Sequence, residues 1–259
     1  MEGGDKLDLI EYMRYERLGR IRGIYWLFQV NMAFNSNKIE GSQLSKEQTQ
    51  YLFDEEKIYS ENGQSISLDD IQETTNHFNA FDYMLDNVNE EISIEMIKEF
   101  HYLIKKNTSN EKNPLTPIGD FKVAENVIGT LNPVSTTRLD RVESELNKLL
   151  REYLSLKNIQ LEEIVDFHVE FERIHPFADG NGRVGRLIAF KECLKNNIVP
   201  SIILDNHREF YLRGLGEYEK GSKERLLETF RAGQDYSEEV LKELNFNGEI
   251  NSSNRDSWI

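Results

Sequence analysis

Apolar residues recur at intervals of three and four along most of this chain of 259 residues. That spacing places them on one face of an α-helix, so it predicts a succession of amphipathic helices. Segment 7–34 fits either one long helix or two that meet at a bend near Gly19 and Gly23, and Ser45 with Gln48 forms a capping box for the next helix. The predicted helices, with approximate ends, cover 7–34, 45–53, 68–85, 93–106, 135 or 136 to 153, a segment that ends before Pro176, 183–196 and a stretch that starts near 206.

One stretch departs from this helical spacing. Residues 119–129 have a glycine at each end, β-branched residues between them and a polar Glu125-Asn126 pair, which predicts a short β-hairpin. Since an isolated hairpin is barely stable, we expect it to lie against the helices as a flap. The chain has no repeat and no linker rich in Pro and Gly, so the patterns predict a single mostly helical domain, with a polar end beyond Asn245 that frays.

The composition excludes several classes of function. The chain has 31 Lys and Arg against 46 Asp and Glu, a formal net charge of −15, so its surface repels nucleic-acid phosphates and anionic lipids. Its longest dense apolar run, 24–28, is too short to span a membrane, and its acidic start is unlike a signal peptide. The single cysteine, Cys193, excludes an intramolecular disulfide and any multi-cysteine metal site. We therefore expect a cytoplasmic protein with neither nucleic acid nor a membrane as a partner.

The segment His175-Pro-Phe-Ala-Asp-Gly-Asn-Gly-Arg-Val-Gly-Arg186 is the most informative part of the chain. Pro176 ends one helix, two glycines loosen the loop that follows, and a helical pattern resumes at Arg183. The loop therefore leads into a helix N-terminus, where unpaired N–H groups and the helix dipole favour an anion. Glycines allow such a backbone to approach phosphate oxygens closely.

The charged residues of this segment favour a phosphate ligand. Arg183 and Arg186 are three residues apart, so they share a face of the first turn and repel each other beside the positive helix end. A polyanionic phosphate between them would remove that repulsion. Asp179 is suited to a magnesium ion that bridges phosphates, and His175 is suited to act as a general base at the start of the loop.

A dinucleotide-binding site is an alternative that the segment also suggests. Residues 180–185 match G-x-G-x-x-G, and the acidic Asp205 stands about twenty residues further on. The interpretation fails on placement, because the first glycine should directly follow a strand, whereas residues 175–179 intervene here. The rest of the chain also offers too few predicted strands for a parallel sheet.

Residues 175–186 resemble the H-x-F-x-[D/E]-G-N-G-R-x-x-R signature of Fic-domain proteins at every fixed position. His101, Gly119-Asp-Phe-Lys122, Pro133 and His168 also stand where such proteins have similar residues, so the resemblance covers about 90–235 of the chain. It implies an all-α Fic fold, a helical bundle with a small β-hairpin flap and an N-terminal helical extension. The implied organisation is a helical extension over 1–90, a Fic core over 91–235, and a C-terminal helix with a polar tail over 236–259.

The resemblance implies an adenylyltransferase. Such an enzyme moves AMP from ATP to a Ser, Thr or Tyr hydroxyl of a target protein, or of itself, and releases pyrophosphate. ATP is the implied substrate, and Mg²⁺ or Mn²⁺ the implied metal. The intact Asp179 and paired arginines argue against the relatives with an altered loop that act as kinases. Self-association is common among such proteins, so a homo-oligomer is a further expectation, while the identity of the target protein stays open.

The resemblance also implies a role for each matched residue. His175 would take the proton from the target hydroxyl, and Asp179 would bind the metal. Phe177 would anchor the loop in the core, and Tyr211 would line the adenine pocket. The remaining implied contacts are Gly180, Asn181 and Gly182 with the α-phosphate, Arg183 with the β-phosphate, Arg186 with the γ-phosphate, and Lys122, Val123, Val127 and Ile128 of the flap with the target's main chain.

A second motif, Ser36-Asn-Lys-Ile-Glu40-Gly41, follows the first helical region, with Gly41 placed to cap a helix. By itself this motif indicates little, since a glutamate near a glycine at a helix end is common. Beside the first motif it resembles the [S/T]-x-x-x-E-[G/N] inhibitory motif of class II Fic proteins, which lies N-terminal to the domain. The resemblance implies that Glu40 pairs with Arg186, with Ser36 on the same helix face, and so removes the partner of the γ-phosphate. The expected enzyme is therefore autoinhibited.

Two alternative functions stay open. Some relatives use this glutamate to position water and remove AMP, so Glu40 with Asp179 and a metal would also suit a de-AMPylase. From a different class, the chain would be a non-catalytic module that senses nucleotides, although the intact His175 argues against this because binding alone needs no base.

The remaining histidines and the cysteine are expected to be structural. His101 and His168 lie on apolar stripes and are predicted to be core residues, whereas His77 is expected on a helix surface. Cys193 stands among apolar residues of the helix after the signature, so it is predicted to be buried and inert.

Overall fold

The computed structural model describes residues 8–60, 63, 65–128, 134–218 and 220–246. Within these ranges the chain folds into ten α-helices, with three short 3₁₀ turns and one two-stranded antiparallel ladder. The elements are α1 (Leu9–Gly19), α2 (Ile24–Ile39), α3 (Lys46–Glu55), α4 (Leu68–Asp86), α5 (Ile94–Lys105), β1 (Val127–Ile128), β2 (Val134–Ser135), α6 (Val142–Leu154), α7 (Leu161–Ile174), α8 (Asn181–Lys195), α9 (Arg208–Tyr218) and α10 (Glu224–Glu243).

The N-terminal region forms two helices, and the alternative of one long helix is wrong. The backbone leaves α1 in the left-handed conformation at Arg20, with φ of 51°. Glu16 is buried, and its Oε2 accepts a hydrogen bond from the first turn of α2 at Tyr25 N, at 2.7 Å. A side chain at Gly23 would collide with this carboxylate, so glycine allows the close approach of the two helices. Glu16 therefore satisfies a donor at the start of α2 that would otherwise be unpaired.

Polar residues cap the helix at two of the predicted helix starts. Ser45 and Gln48 make the reciprocal bonds of a capping box at the start of α3. Ser93 Oγ accepts a hydrogen bond from Met96 N at the start of α5. The ends predicted for α3, α4 and α5 agree with the structure to within two residues, and side-chain caps define the starts of α3 and α5.

The hairpin predicted over 119–129 does not form. Residues 119–126 are irregular, and the short ladder instead pairs Val127 with Ser135 and Ile128 with Val134. Gly129 and Pro133 lie outside the described residues. The segment's polar groups are used elsewhere: Lys122 N donates to Pro176 O at 2.9 Å, and Asn126 Nδ2 donates to Phe177 O at 3.2 Å. Contacts with the signature loop have therefore replaced the pairing of the segment with itself. We call residues 119–128 the flap segment.

Helix α6 begins at Val142, several residues after the predicted start at Ser135 or Thr136. Thr136 Oγ1 accepts a hydrogen bond from Lys122 Nζ at 2.5 Å, and Thr137 N donates to Arg173 O at 3.4 Å. Residues 136 and 137 are therefore held against the flap segment and α7, so they cannot start the helix.

The main core lies between α2, α4, α5, α7 and α8. The ring of Phe190 packs on those of Phe28 and Phe81, with centroids 5.6 and 5.3 Å apart. Phe28 and Phe81 belong to the predicted N-terminal extension, whereas Phe190 belongs to the predicted core region. Both sides of residue 90 therefore share one hydrophobic cluster. At the other end of the chain, α10 runs continuously past residue 235.

Three of the predicted structural residues, His101, His168 and Cys193, are buried as expected, and one prediction is wrong. Cys193 is buried, and burial raises the pKa of its thiol to about 12, which keeps it protonated. His77, predicted on a helix surface, is instead wholly buried on α4, and within the described part of the chain neither ring nitrogen has a hydrogen-bond partner. In the described ranges, none of the helices combines the length and apolar character that crossing a membrane requires.

Replacing Glu16 tests the junction between α1 and α2. Glu16→Ala leaves the buried N–H of Tyr25 without a partner, so we expect the free energy of unfolding to fall by about 1–3 kcal/mol. Glu11→Ala, on the same helix but exposed, is the matched control and should change it by less than about 0.5 kcal/mol. Urea titration followed by circular dichroism measures both. Equal effects of the two substitutions would contradict a capping role for Glu16.

Candidate active site

The signature loop joins α7 to α8 through two residues with left-handed backbones. α7 ends at Ile174, and His175 follows with φ of 51°, its N–H bonded to Phe171 O at 3.0 Å. Gly180 precedes α8 with φ of 81°, a conformation that favours glycine. α8 begins at Asn181, two residues before the predicted start at Arg183. Gly182 therefore lies in the first helical turn and not in the loop.

A reciprocal pair of hydrogen bonds closes this loop. Asn181 Oδ1 accepts from Phe177 N, and Asn181 Nδ2 donates to Phe177 O, both at 2.9 Å. The Phe177 ring is fully buried and stacks on His101 with centroids 3.9 Å apart. His101 in turn contacts the Asp179 carbonyl through Nε2 at 3.1 Å. Because the side-chain amide of Asn181 holds the loop, its backbone N–H is the group that faces a ligand at the start of α8.

The N–H groups of Asn181, Gly182 and Arg183 precede the first hydrogen bond of α8, which runs from Val184 N to Gly180 O at 3.1 Å. They therefore lack partners within the helix and lie at its positive end. The sequence predicted a helix N-terminus after the loop, and α8 provides one.

The ring of His175 is oriented by the last turn of α7. Its Nδ1 lies 3.2 Å from the backbone carbonyl of Glu172. A carbonyl can only accept, so Nδ1 carries the proton and Nε2 is the acceptor nitrogen of the neutral ring. Burial lowers the pKa of His175 to about 4, against the opposing effect of this hydrogen bond. His175 is therefore neutral at physiological pH, the state in which it can take a proton.

Asp179 is half-exposed, and its carboxylate is held by four neighbours, one of which is Asn110, whose Nδ2 donates to Oδ2 at 3.3 Å. Oδ1 accepts from Gly180 N at 2.7 Å, and Oδ2 accepts from Lys105 Nζ at 2.6 Å with Arg183 Nη2 at 3.6 Å. Burial opposes its ionisation, but the charges of Arg183 and Lys105 outweigh burial and hold the pKa of Asp179 well below its usual range. Asp179 is therefore ionised, as a metal ligand must be.

The donor set around Asp179 fits magnesium only together with phosphates. No group of three or more His, Cys, Asp or Glu residues suited to a metal occurs in the described part of the chain. Mg²⁺ is commonly held by one or two carboxylates, water and the phosphates of a nucleotide, so a single ionised carboxylate is sufficient.

The second signature arginine is paired with the second motif. Arg186 Nη2 lies 2.6 Å from Glu40 Oε1, and its Nε donates to Ser36 Oγ at 3.0 Å. Glu40 caps α2, and Gly41 follows in a left-handed conformation with φ of 105°. Burial opposes ionisation of Glu40, but the charges of Arg186 and Arg183 hold its pKa below the usual range. The two motifs, 150 residues apart in sequence at Ser36 and Arg186, are therefore joined through one guanidinium.

The carboxylate of Glu40 lies over the start of α8. A Cβ added to Gly182 would overlap Glu40 Oε1 and would lie 2.8 Å from Arg186 Nη1. Glycine at this position therefore leaves room for the ion pair. The carboxylate occupies the positive helix end, a position that favours an anion.

Two site residues were missed in the sequence. Arg183 is buried and pairs through Nη1 with Glu73 Oε2 of α4 at 2.5 Å, and Glu73 also pairs with Lys105 of α5. Glu73 has no local sequence signal. Lys105 does, because it lies one turn after His101 within the apolar stripe of α5, where a charged residue needs an explanation. Among the described residues, Arg183 Nε is buried without a hydrogen-bond partner.

The remaining predicted residues are less directly placed. Tyr211 is buried beneath Arg186, with its hydroxyl 2.7 Å from His168 Nε2 and its ring centroid 5.7 Å from the guanidinium carbon. Lys122 is also buried, and its ammonium bonds inward to Asn126 and Thr136, whereas Val123 is exposed. The side chains of Val127 and Ile128 lie outside the described part.

The fold and this loop together define a helical domain in which one loop carries a histidine and leads into a helix N-terminus with two buried arginines. Residues 91–192 match the model of the Fic/DOC family. A Fic domain-containing signaling protein from Bacteroides thetaiotaomicron has a similar fold, with 20% identity, a TM-score of 0.70 and coverage of 91% of both chains.

Two curated relatives are named as adenylyltransferases. A probable protein adenylyltransferase of Aquifex aeolicus is 43% identical over 56 residues, or 22% of this chain. The protein adenylyltransferase fic-1 of Caenorhabditis elegans is 24% identical over 197 residues, or 74% of this chain. The aligned regions span 17% and 36% of the length of these two relatives.

Replacing Asn181 tests the closure of the loop. Asn181→Ala removes both bonds to Phe177 in a buried setting, so we expect a loss of about 1–3 kcal/mol in the free energy of unfolding. Asn196→Ala is the matched control, because Asn196 Nδ2 makes a single, half-buried bond to Glu192 O at the other end of α8. In urea titration, the free energy of unfolding of Asn181→Ala should be clearly lower than that of the control. A reversed order would show that the loop does not depend on this residue.

Proposed function

We propose that this chain is a protein adenylyltransferase that moves AMP from ATP to a Ser, Thr or Tyr hydroxyl of a target protein, and that Glu40 holds it inactive. The observation that carries the proposal is the position of His175, a neutral histidine beside a helix N-terminus that bears Arg183 and Arg186. The names of the two curated relatives support the same reaction class.

In the proposed reaction, the N–H groups at the start of α8 hold the α-phosphate, Arg183 the β-phosphate and Arg186 the γ-phosphate. His175 Nε2 takes the proton of the target hydroxyl as its oxygen attacks the α-phosphorus. The bond from that phosphorus to the bridging oxygen breaks, and pyrophosphate leaves with the electron pair. Mg²⁺ or Mn²⁺ bound by Asp179 would neutralise phosphate charge. The residues contribute mainly by positioning and electrostatics.

Glu40 opposes this arrangement in two ways. It takes the guanidinium of Arg186 that the γ-phosphate needs, and it places a negative charge over Gly182 at the helix end. ATP bound beside it would lose a partner and meet repulsion, so its α-phosphate would be displaced from the line of attack. Autoinhibition is thus proposed to be a competition between a carboxylate and a phosphate for the same cation.

The proposed partners follow from the same reasoning. The net charge of −15 favours a target with a basic surface and a cytoplasmic setting without nucleic acid or membrane. The target's main chain is proposed to bind the flap segment by strand addition, because Val123 is exposed there and the segment includes the short strand β1. A homo-oligomer that modifies itself is the remaining proposal.

Label transfer tests the reaction and its inhibition together. The parent, Glu40→Gly and His175→Ala proteins, and the Glu40→Gly/His175→Ala double variant, are incubated with Mg²⁺ and ATP labelled at the α- or the γ-phosphate. We expect strong protein-bound α-label with Glu40→Gly, little with the parent, and none once His175 is replaced. Glu56→Gly is the matched control, because Glu56 also caps a helix but is exposed, and it should behave like the parent.

Each other outcome points elsewhere. Equal labelling of the parent and Glu40→Gly would contradict the proposed autoinhibition, and γ-label retained on protein would indicate a kinase. No label from either position would favour the de-AMPylase or the nucleotide sensor. These two are then separated by testing whether the protein releases AMP from a pre-modified target.

The pH dependence of AMP transfer tests the base. The pKa of His175 is lowered to about 4, so the ring stays neutral as the pH falls from 7 and is protonated only near pH 4. In Glu40→Gly we therefore expect kcat/KM at pH 5.5 to be nearly that at pH 7, whereas a base with the usual pKa of about 6.5 would lose about 90%. Nucleotide affinity measured at both pH values is the control. An acid limb near pH 6.5 with unchanged affinity would contradict the buried, neutral base.

A further inference from the structure

A third cation lies beside the two signature arginines. The side chain of Lys105 on α5 is only 3% exposed, although lysine is almost never buried unless it is paired. Its ammonium donates to Asp179 Oδ2 at 2.6 Å and to Glu73 Oε1. The partners are more open than the lysine, with side chains 49% and 17% exposed. The charged end of Lys105 therefore points out of the core and towards the site.

The same two carboxylates hold Lys105 and Arg183 side by side. Glu73 contacts Lys105 through Oε1 and Arg183 through Oε2, and Asp179 Oδ2 contacts both cations. Two positive charges in so small and so buried a volume repel each other strongly unless anions lie between them. Asp179 is bound in addition by Gly180 N, so it is part of the loop, whereas Glu73 reaches in from α4.

The stem of Lys105 directs the ammonium to the start of α8. A Cβ added to Gly180 would lie 3.4 Å from Lys105 Cδ, so the methylene chain passes directly over the residue that caps the helix. One turn earlier on α5, His101 stacks on Phe177. α5 therefore supports the loop with one residue and adds a charge to its anion site with the other.

We propose that Lys105 is a nucleotide-binding residue that contacts the non-transferred phosphates together with Arg183, with Glu73 as the anion that a polyphosphate replaces. The inference rests on the proposed function, because it requires that ATP bind at the start of α8. Lys105 and Glu73 should affect ATP binding in opposite directions, because the lysine attracts the β- and γ-phosphates, whereas the glutamate competes with them.

Calorimetric titration of the full chain with ATP and with AMP tests this, in the Glu40→Gly background. Lys105→Met is expected to weaken ATP binding by about 10-fold or more, the effect of one charged hydrogen bond, and to change AMP binding by less than about 2-fold. Lys106→Met is the matched control, because Lys106 directly follows α5 and is half-buried, with its ammonium 5.9 Å from the Tyr102 ring centroid. Both affinities should be unchanged.

Two further variants separate binding from folding. Glu73→Gln should leave ATP binding as tight as in the background or tighter, and Lys105→Arg should keep most of the affinity even if Lys105→Met does not fold. Equal losses for ATP and AMP, an unchanged ATP affinity in Lys105→Met, or a loss in Glu73→Gln as large as in Lys105→Met would each overturn the role of Lys105. If the Glu40→Gly protein binds ATP and transfers α-label, and adding Lys105→Met leaves its ATP affinity unchanged, this inference fails while the proposed function stands. If it binds neither nucleotide, the proposed function fails with it.

Discussion

The structure depends on two buried guanidinium groups at the positive end of α8. Arg183 and Arg186 are each 3% exposed, and charges so far from water are tolerated only when other charges neutralise them. The countercharges come from three separate elements: Glu40 at the end of α2, Glu73 on α4 and Asp179 in the loop. The helices before residue 90 must therefore pack against α8, and the shared aromatic core of α2, α4 and α8 follows the same geometry.

The same requirement links structure to the proposed chemistry. A site that gathers Arg183, Arg186 and Lys105 with three carboxylates is close to neutral as it stands. In the proposed reaction an incoming polyphosphate would displace carboxylates to bind. Glu40 and Glu73 are on helices of the N-terminal region and contact the site through flexible side chains, whereas Asp179 is bonded to the loop itself. The arrangement favours the proposed control by competition, in which carboxylates of the protein and phosphates of the nucleotide bind the same cations.

The loop that presents these charges is held in place by Asn181, by α5 and by the flap segment. Asn181 bonds both backbone groups of Phe177, His101 stacks on that ring, and the flap segment bonds to Pro176 and Phe177 through Lys122 and Asn126. Such closure keeps the helix end and His175 in fixed relation, which is the main demand of phosphoryl-group chemistry. The flap segment, predicted to be a hairpin, contributes more through these bonds than through its short ladder.

From the chain alone one can predict the helices with strong local signals, the loop between Pro176 and Gly180, and the candidate phosphate-binding residues, because caps, helix-breaking residues and signature spacing act over a few positions. Which carboxylates face those residues is set by the tertiary packing of α2 and α4 against α8. The match of Glu40 to Arg186 was predicted through a resemblance, while Glu73 and Lys105 were missed, since ion pairs between distant segments leave no local pattern. The hairpin and the start of α6 were wrong for a related reason: Lys122 N bonds to the loop at Pro176 O, and Thr137 N bonds to α7 at Arg173 O. Such long-range partners override local propensity.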